Sequence, residues 1–130
     1  MTINDIKNIC VVGAGNMGHQ ISLLCAIHGY KTVCTDIVPD ILKKAEKFAD
    51  TYLPGRVEKG KMTKEVAEKA RKNISFTLDL KEAVQDADYV IEAAVEVLAV
   101  KRKVFADLDR LAPAHAILAT NSSYLVSSLV

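Results

Sequence analysis

A short apolar run, Ile9-Cys10-Val11-Val12, meets Gly13-Ala14-Gly15-Asn16-Met17-Gly18, and an apolar-periodic stretch then continues through His28 until Gly29. That order reads as strand, tight turn and helix. Each glycine relaxes a different constraint. Gly13 permits the tight turn, Gly15 removes a side chain where a pyrophosphate must approach the backbone, and Gly18 lets the helix pack close to the strand. The helix start offers N–H groups without intrahelical partners and a partial positive charge, which suits phosphate. With Ala14, Asn16 and Met17 between the glycines, this is a dinucleotide fingerprint in its required context. The glycines alone also fit an ordinary strand-to-helix turn.

Lys31-Thr32-Val33-Cys34-Thr35-Asp36 reads as a second strand ending in an acid. The gap from Gly18 to Asp36 is close to the spacing of about 20 residues at which a dinucleotide fold sets an acid on the adenosine ribose. A carboxylate there accepts from both ribose hydroxyls and repels a 2′-phosphate. Ile37, Val38 and Pro39 follow, with no Arg or Lys to receive that phosphate, so NAD is favoured over NADP. Taken alone, Asp36 would also serve as a turn or helix-capping acid.

Pro39 suits the first turn of a helix. Ile41, Leu42, Ala45, Phe48, Ala49, Tyr52 and Leu53 recur at helical spacing, with Lys43, Lys44, Glu46, Lys47 and Asp50 on the other face. Pro54-Gly55 should kink or interrupt this helix, and Gly60 should end it. Thr63 caps a second helix running to Lys72, with Val66, Ala67 and Ala70 inward. A minimal Rossmann unit does not need such a hairpin, so it is a functional or interface element. Arg56, Lys59, Lys61 and Lys64 gather at its tip, either as a solvated charged end or as a site for an anionic substrate tail.

Regular alternation then resumes. Ile74 to Thr77 reads as strand three, Asp79-Leu80-Lys81-Glu82 as a capping box opening a short helix, and Ala87 to Ala93 as strand four. A helix from Leu98 to Leu111 stops before Pro113, and Ala116 to Ala119 is strand five. The fold class is α/β: a Rossmann doubly wound parallel sheet, order 3-2-1-4-5, buried on both faces, with a helical hairpin inserted after strand 2. Residues 1–130 read as one domain, without repeat, low-complexity tract or linker.

Composition narrows the function classes. The chain has 130 residues, half of them hydrophobic, which suffices for one domain with a core. No apolar run would span a bilayer, and the polar N-terminus does not read as a signal peptide. No membrane partner is expected, and the expected location is cytoplasmic. A net charge of +1 exerts no pull toward nucleic acid, and the few aromatics, without Trp, make no base-stacking platform. Cys10, Cys25, Cys34, His19, His28 and His115 show no metal-site spacing, so no metal is expected. The cysteines read as small buried hydrophobes in a reducing compartment.

Two clusters remain. Ile91-Glu92-Ala93-Ala94-Val95-Glu96 leaves strand four with two acids, and Lys101 follows. Glu96 and Lys101 can face one ligand across a loop and a helix start and bond ribose hydroxyls; a surface ion pair beside a helix N-terminal acid fits as well. Thr120-Asn121-Ser122-Ser123 is a polar turn at a strand's carboxyl end, the edge where open α/β sheets bind ligands. Ser123 has no sequence-near base for a nucleophilic role, but its hydroxyl could donate to a substrate carbonyl. Asn121 could contact the nicotinamide side or order the loop. Turn chemistry accounts for both residues too.

Together these residues resemble the NAD-binding domain of the L-3-hydroxyacyl-CoA dehydrogenase family, especially its bacterial 3-hydroxybutyryl-CoA type. The resemblance runs over the whole chain. It rests on Gly13-Ala14-Gly15-Asn16-Met17-Gly18, Asp36, Val90-Ile91-Glu92-Ala93-Ala94-Val95-Glu96, Lys101, Ala119-Thr120-Asn121-Ser122-Ser123 and the hairpin. It implies NAD as cofactor, an acyl-CoA substrate, oxidation of (S)-3-hydroxyacyl-CoA to 3-oxoacyl-CoA, and a place in fatty-acid β-oxidation and butanoate metabolism. By position it implies Asp36 on the adenosine ribose, Glu96 and Lys101 near the nicotinamide ribose, Ser123 on the substrate's 3-oxygen and Lys59 on CoA. Val97 stands where the family has Asn, and Ser122 and Tyr124 depart from Asn-Thr-Ser-Ser, which leaves the acyl group open. The family's base, a histidine held by a glutamate, lies C-terminal to the serine; His115 precedes Ser123 and does not match it. The resemblance therefore implies a longer, homodimeric enzyme with a helical C-terminal domain, of which residues 1–130 bind NAD(H) and catalyse little or nothing. Another Rossmann hydroxyacid or sugar-acid dehydrogenase, or a non-catalytic dinucleotide-binding protein, also fits the residues.

Overall fold

Apolar runs of four or five residues form the strands β1 (Asn8–Val12), β2 (Lys31–Thr35), β3 (Ile74–Thr77), β4 (Tyr89–Glu92) and β5 (Ile117–Thr120). The computed structural model describes residues 6–93, 106–107, 110–113 and 116–120. All pairings are parallel and the order is β3-β2-β1-β4-β5, the one the sequence pattern implies. Parallel neighbours require crossovers, which helices supply here. They are α1 (Asn16–Ile27), α2 (Pro39–Glu58), α3 (Lys64–Asn73) and α4 (Leu80–Val84). Residues 106–107 and 110–111 are helical between β4 and β5.

Both faces of the sheet are covered. On one, Cys10, Val12 and Val90 pack with Ala83, Val84 and Ala87 around α4. On the other, Leu23 and Ala26 of α1 meet Ala49 and Leu53 of α2, Ala67 and Ala70 of α3, and Ile74. Cys34, Ala14, Leu42 and Ala45 continue that second layer toward the glycine turn. Among the described residues no helix is long and apolar enough to cross a membrane.

The helix ends follow their sequence signals. Gly29 (φ +95°) and Gly60 (φ +70°) take left-handed conformations that favour glycine. Each completes a Schellman closure: Gly29 N–H donates to Ala26 and Tyr30 N–H to Cys25, as Gly60 N–H does to Val57 and Lys61 N–H to Arg56. The Thr63 hydroxyl accepts from Val66 N–H, and the Asp79 carboxylate accepts from the N–H groups of Lys81 and Glu82.

Several expectations need correction. The long helix runs unbroken through Pro54. Pro54 is exposed, as is Asp50, whose carbonyl it leaves without a helix donor. Leu53 before it and Val57 beyond it are both anchored on the Ala67–Ala70 cluster, which holds the last turn in register. Val66 is not inward but 42% exposed. The contact stripe of α3 is Ala67 and Ala70, whose small side chains let the hairpin close tightly. Similarly, Ile41 and Phe48 are half-buried and Tyr52 exposed, so α2's buried stripe narrows to Leu42, Ala45, Ala49 and Leu53. Strand four is also shorter than expected, because Ala87 closes the turn after α4 by donating to Val84.

Candidate functional site

The strand order reverses between β1 and β4, and ligands of open α/β sheets bind in the crevice outside the strand ends at such a switch point. Here the chain leaves β1 through Gly13 at φ +107°. Gly13 N–H donates to the Thr35 carbonyl (2.8 Å), drawing the turn toward β2. Ala14 N–H donates to Asp36 Oδ2 at 2.8 Å, and Val38 N–H donates to Asp36 Oδ1 at 2.9 Å. The sequence reading left Asp36 either a ribose ligand or a turn and capping acid; the structure shows the second role, since Asp36 clamps the glycine turn to the start of α2. An ionised carboxylate has about four lone-pair sites, so acceptor capacity remains for ribose hydroxyls.

The three glycines separate by what surrounds them. A Cβ built on Gly18 would overlap the Gly13 carbonyl, with the Ala93 side chain next at 3.6 Å. The close approach is thus first to the turn's own backbone. Gly15 is different. Its φ of −67° and ψ of −165° suit any residue, and a Cβ there would meet nothing within 4 Å. Gly15 is also the N-cap of α1, and it supplies no side-chain cap where Ser, Thr, Asp or Asn is favoured. No acid stands in the first turn. The helix therefore opens with N–H groups left uncapped by side chains and a bare backbone facing free space. Neither the fold nor the helix requires this, and it suits an anion approaching the N-terminus. Asn16 and Met17 contribute the first helical backbone positions, and Met17 is exposed.

At the carboxyl ends of the strands, register aligns Thr77, Thr35, Val12, Glu92 and Thr120 in one row. Of the two acids leaving β4, Glu92 is fully buried, on the face of Val12 and Val90, and belongs to the interior. Glu96, Lys101, Asn121 and Ser123 lie outside the described residues, as do Val97, Tyr124 and His115.

Beside the turn, α1 and α2 enclose an apolar groove of about 340 Å³, lined by Met17, Gln20, Ile21, Leu24, Phe48 and Tyr52 among others. His19 meets Phe48 edge-on (4.7 Å between centroids), Phe48 stacks on Tyr52 (5.3 Å), and the Arg56 guanidinium lies 5.8 Å from the Tyr52 ring. Lys59, the C-cap of α2, is exposed, as are Lys61 and Lys64. Lys64 pairs loosely with Glu68 at 3.9 Å. The expected basic tip exists, but its arginine folds back onto the aromatic ladder.

Cys10 and Cys34 are buried thiols not poised to react. All three cysteines are free. Burial pushes the Cys10 thiol up to about 12 and the Cys34 thiol up to about 11, which keeps both protonated and poorly nucleophilic.

Residues 8–130 match the family profile "3-hydroxyacyl-CoA dehydrogenase, NAD binding domain". The chain belongs to that family. A probable 3-hydroxybutyryl-CoA dehydrogenase of Bacillus subtilis is 39% identical over 121 residues, covering 93% of this chain and 42% of the relative. A peroxisomal fatty acid β-oxidation multifunctional protein of rice is 33% identical over 125 residues, covering 96% of this chain and 17% of the relative. The solved structure of 3-hydroxybutyryl-CoA dehydrogenase from Escherichia coli K12 superposes with a TM-score of 0.92 at 34% identity, over 96% of this chain and 26% of that one. The chain thus spans less than half the length of these relatives. NAD is the cofactor of the family, and the uncapped helix, the open face of Gly15 and the acid at the end of β2 fit a dinucleotide.

The sequence reading did not connect His19 with the turn: its Nδ1 lies 2.7 Å from the Gly15 carbonyl, a contact that its place four residues after Gly15 allows.

Proposed function

We propose that this chain is the cofactor-binding part of an NAD-dependent 3-hydroxyacyl-CoA dehydrogenase that oxidises (S)-3-hydroxyacyl-CoA to 3-oxoacyl-CoA. The observation that carries the reading is Gly15: a glycine with neither strain nor neighbours, at the uncapped start of a helix beside a ribose-type acid. Family membership supplies the reaction class; relatives named for 3-hydroxybutyryl-CoA support a place in butanoate metabolism, while one named for 3-hydroxyadipyl-CoA leaves the acyl chain length open.

In this reading the backbone N–H groups at the start of α1 hold the pyrophosphate, and Asp36 holds the adenosine ribose while keeping the turn in place. NAD, when bound, supplies the hydride acceptor. Glu96 and Lys101 hold the nicotinamide ribose, Asn121 orders the adjoining turn, and Ser123 donates to the substrate's 3-oxygen, steadying negative charge as it develops there. A histidine base and the second, helical domain belong to the complete protein, which forms a homodimer. The α1–α2 groove receives the apolar part of the acyl-CoA, with Arg56 and Lys59 on its anionic end. The protein works in the cytoplasm in this reading.

Calorimetric titration of the intact protein with NADH and NADPH, beside Asp36→Ala, tests the cofactor reading. Loss of a charged acceptor and of the turn clamp should weaken NADH at least tenfold and lower the melting temperature as well. Acetoacetyl-CoA reduction by the intact protein tests the substrate. Equal NADH affinity in the variant would remove Asp36 from the site.

A further inference from the structure

One carboxylate stands at the origin of both helices that wall the apolar groove. Asp36 Oδ2 accepts from Ala14 N–H, in the glycine turn that opens α1, and Oδ1 accepts from Val38 N–H, at the N-cap of α2. Val38 brings no side-chain cap of its own, and Pro39 after it has no N–H to offer. The Asx-type bond from two residues upstream therefore sets where α2 begins. Leu42 N–H then closes the first turn onto the Val38 carbonyl at 3.2 Å. Ala14 itself is buried against Leu42 and Ala45, so a shift of the glycine turn is felt on α2.

Met17, Gln20, Ile21 and Leu24 line the groove from α1, and Phe48 and Tyr52 line it from α2. Beneath it, Leu23 and Ala26 of α1 and Ala49 and Leu53 of α2 are seated together on Ala67 and Ala70 of α3. Apolar packing thus fixes the floor of the groove. Near the glycine turn, the two walls are joined by the hydrogen bonds to Asp36. Two ligands depend on that junction. A ribose donating to the remaining acceptor sites of Asp36 holds the carboxylate where it reaches both N–H groups. An apolar chain in the groove needs the two walls at the separation those bonds set. Order imposed by one ligand is order the other no longer has to impose.

We infer that Asp36 is a positioning residue for the substrate groove: by tying the start of α1 to the start of α2, it couples occupation of the ribose position to binding of the acyl thioester. This rests on the proposals that Asp36 holds the adenosine ribose and that the α1–α2 groove receives the acyl-CoA. The coupling is positive, and each ligand raises the other's affinity by the same factor.

Calorimetry on the intact protein tests this first without any variant. ADP is compared with 2′,3′-dideoxy-ADP, which lacks the ribose hydroxyls, each with and without saturating acetoacetyl-pantetheine. That thioester carries no nucleotide, so it does not compete with ADP. ADP should bind about fivefold more tightly when the thioester is present, and the dideoxy nucleotide equally in both conditions. Asp36→Asn has one acceptor oxygen for two N–H groups; its ADP binding should be weaker and its coupling absent. A merely structural role would weaken binding without changing the ratio of affinities with and without thioester. Leu24→Asp, at an exposed position on the groove wall, should abolish thioester binding and leave ADP binding unchanged. Equal enhancement of both nucleotides, no enhancement of ADP in wild type, or a ratio that survives in Asp36→Asn overturns the inference and leaves both proposals standing. Thioester binding that fails in wild type or persists in Leu24→Asp takes the acyl-CoA out of the groove. Equal affinity for ADP and its dideoxy analogue in thioester-free protein takes the ribose off Asp36. Either result refutes the inference together with the proposal beneath it.

Discussion

Gly15→Ala and Gly18→Ala, chemically the same change three residues apart, should fail in different ways. At Gly18 the new methyl overlaps the Gly13 carbonyl. Backbone cannot rotate away like a side chain, so the turn must move and drag Ala14 off Asp36. Overpacking of this kind costs about 1–3 kcal/mol, and loss of the 2.8 Å hydrogen bond between Ala14 N–H and Asp36 adds about 1 kcal/mol. Gly18→Ala should therefore lower the melting temperature and abolish NADH binding together. At Gly15 the methyl meets nothing within 4 Å, and the backbone already holds φ −67°. Two small folding effects oppose each other. Ala is a poorer N-cap than Gly by a few tenths to about 1 kcal/mol, while its stiffer unfolded chain returns about 0.4–1 kcal/mol. Stability should stay within about 0.5 kcal/mol of wild type. The methyl does occupy the space a pyrophosphate needs to reach the helix N–H groups, and each charge-assisted bond lost is worth about 1.5–3 kcal/mol, or at least tenfold in affinity. Paired thermal melts and NADH calorimetry measure both quantities. A Gly15→Ala protein that melts normally and binds NADH as wild type would refute the placement of phosphate at this turn.

Two further outcomes follow from the packing. Burial holds the folded thiols of Cys10 and Cys34 at about 12 and about 11, against an ordinary value of 9.0. The unfolded chain therefore gives up those protons first as pH rises. Their contribution is complete below about pH 9 and falls away between pH 9 and the folded values, by at most about 1.4 kcal/mol per pH unit for each thiol. Urea melts of wild type and Cys34→Ser across pH 8–11 should show a shallower decline in the variant; parallel curves would contradict the burial argument. Pro54→Ala should raise the melting temperature. It restores a helix N–H at an exposed position without touching Leu53 or Val57, recovering part of the roughly 3 kcal/mol that an interior proline costs; no change would mean the helix had already absorbed it.

Legibility along the chain tracked the range of the interactions responsible. Caps and closures written within a few residues, as at Thr63, Asp79, Gly29 and Gly60, appear where the sequence puts them. The strand order followed from the right-handed alternation of strand and helix. Pro54 misled because its penalty is local, whereas the packing of Leu53 and Val57 on α3 is not. Val66 misled because periodicity gives the angle of a face but not its width, and two alanines settled the width. Asp36 was found as an acid at the right spacing, but its bond to Ala14 spans the gap between two strands and has no local signature.

The same distinction bears on how much a glycine fingerprint says about function. Gly13 is explained by its backbone angle and Gly18 by the carbonyl it lies against, so any tight strand-to-helix turn of this geometry would demand both. Neither separates a cofactor site from a well-made turn. Gly15 does, because the protein gives it no reason to be glycine and leaves the helix uncapped at the same point. A turn serving structure alone would gain a few tenths of a kcal/mol from Ser or Asp there, and Asp would gain about 0.3–1 kcal/mol more from the helix dipole. It would also place a side-chain oxygen on the N–H groups a phosphate uses. Gly15→Asp should accordingly stabilise the fold while excluding the dinucleotide, since the new carboxylate caps the helix and repels the pyrophosphate. A variant that melts higher and no longer binds NADH would show that stability is forgone at this position for the ligand's sake. One that melts higher and still binds would return all three glycines to the fold.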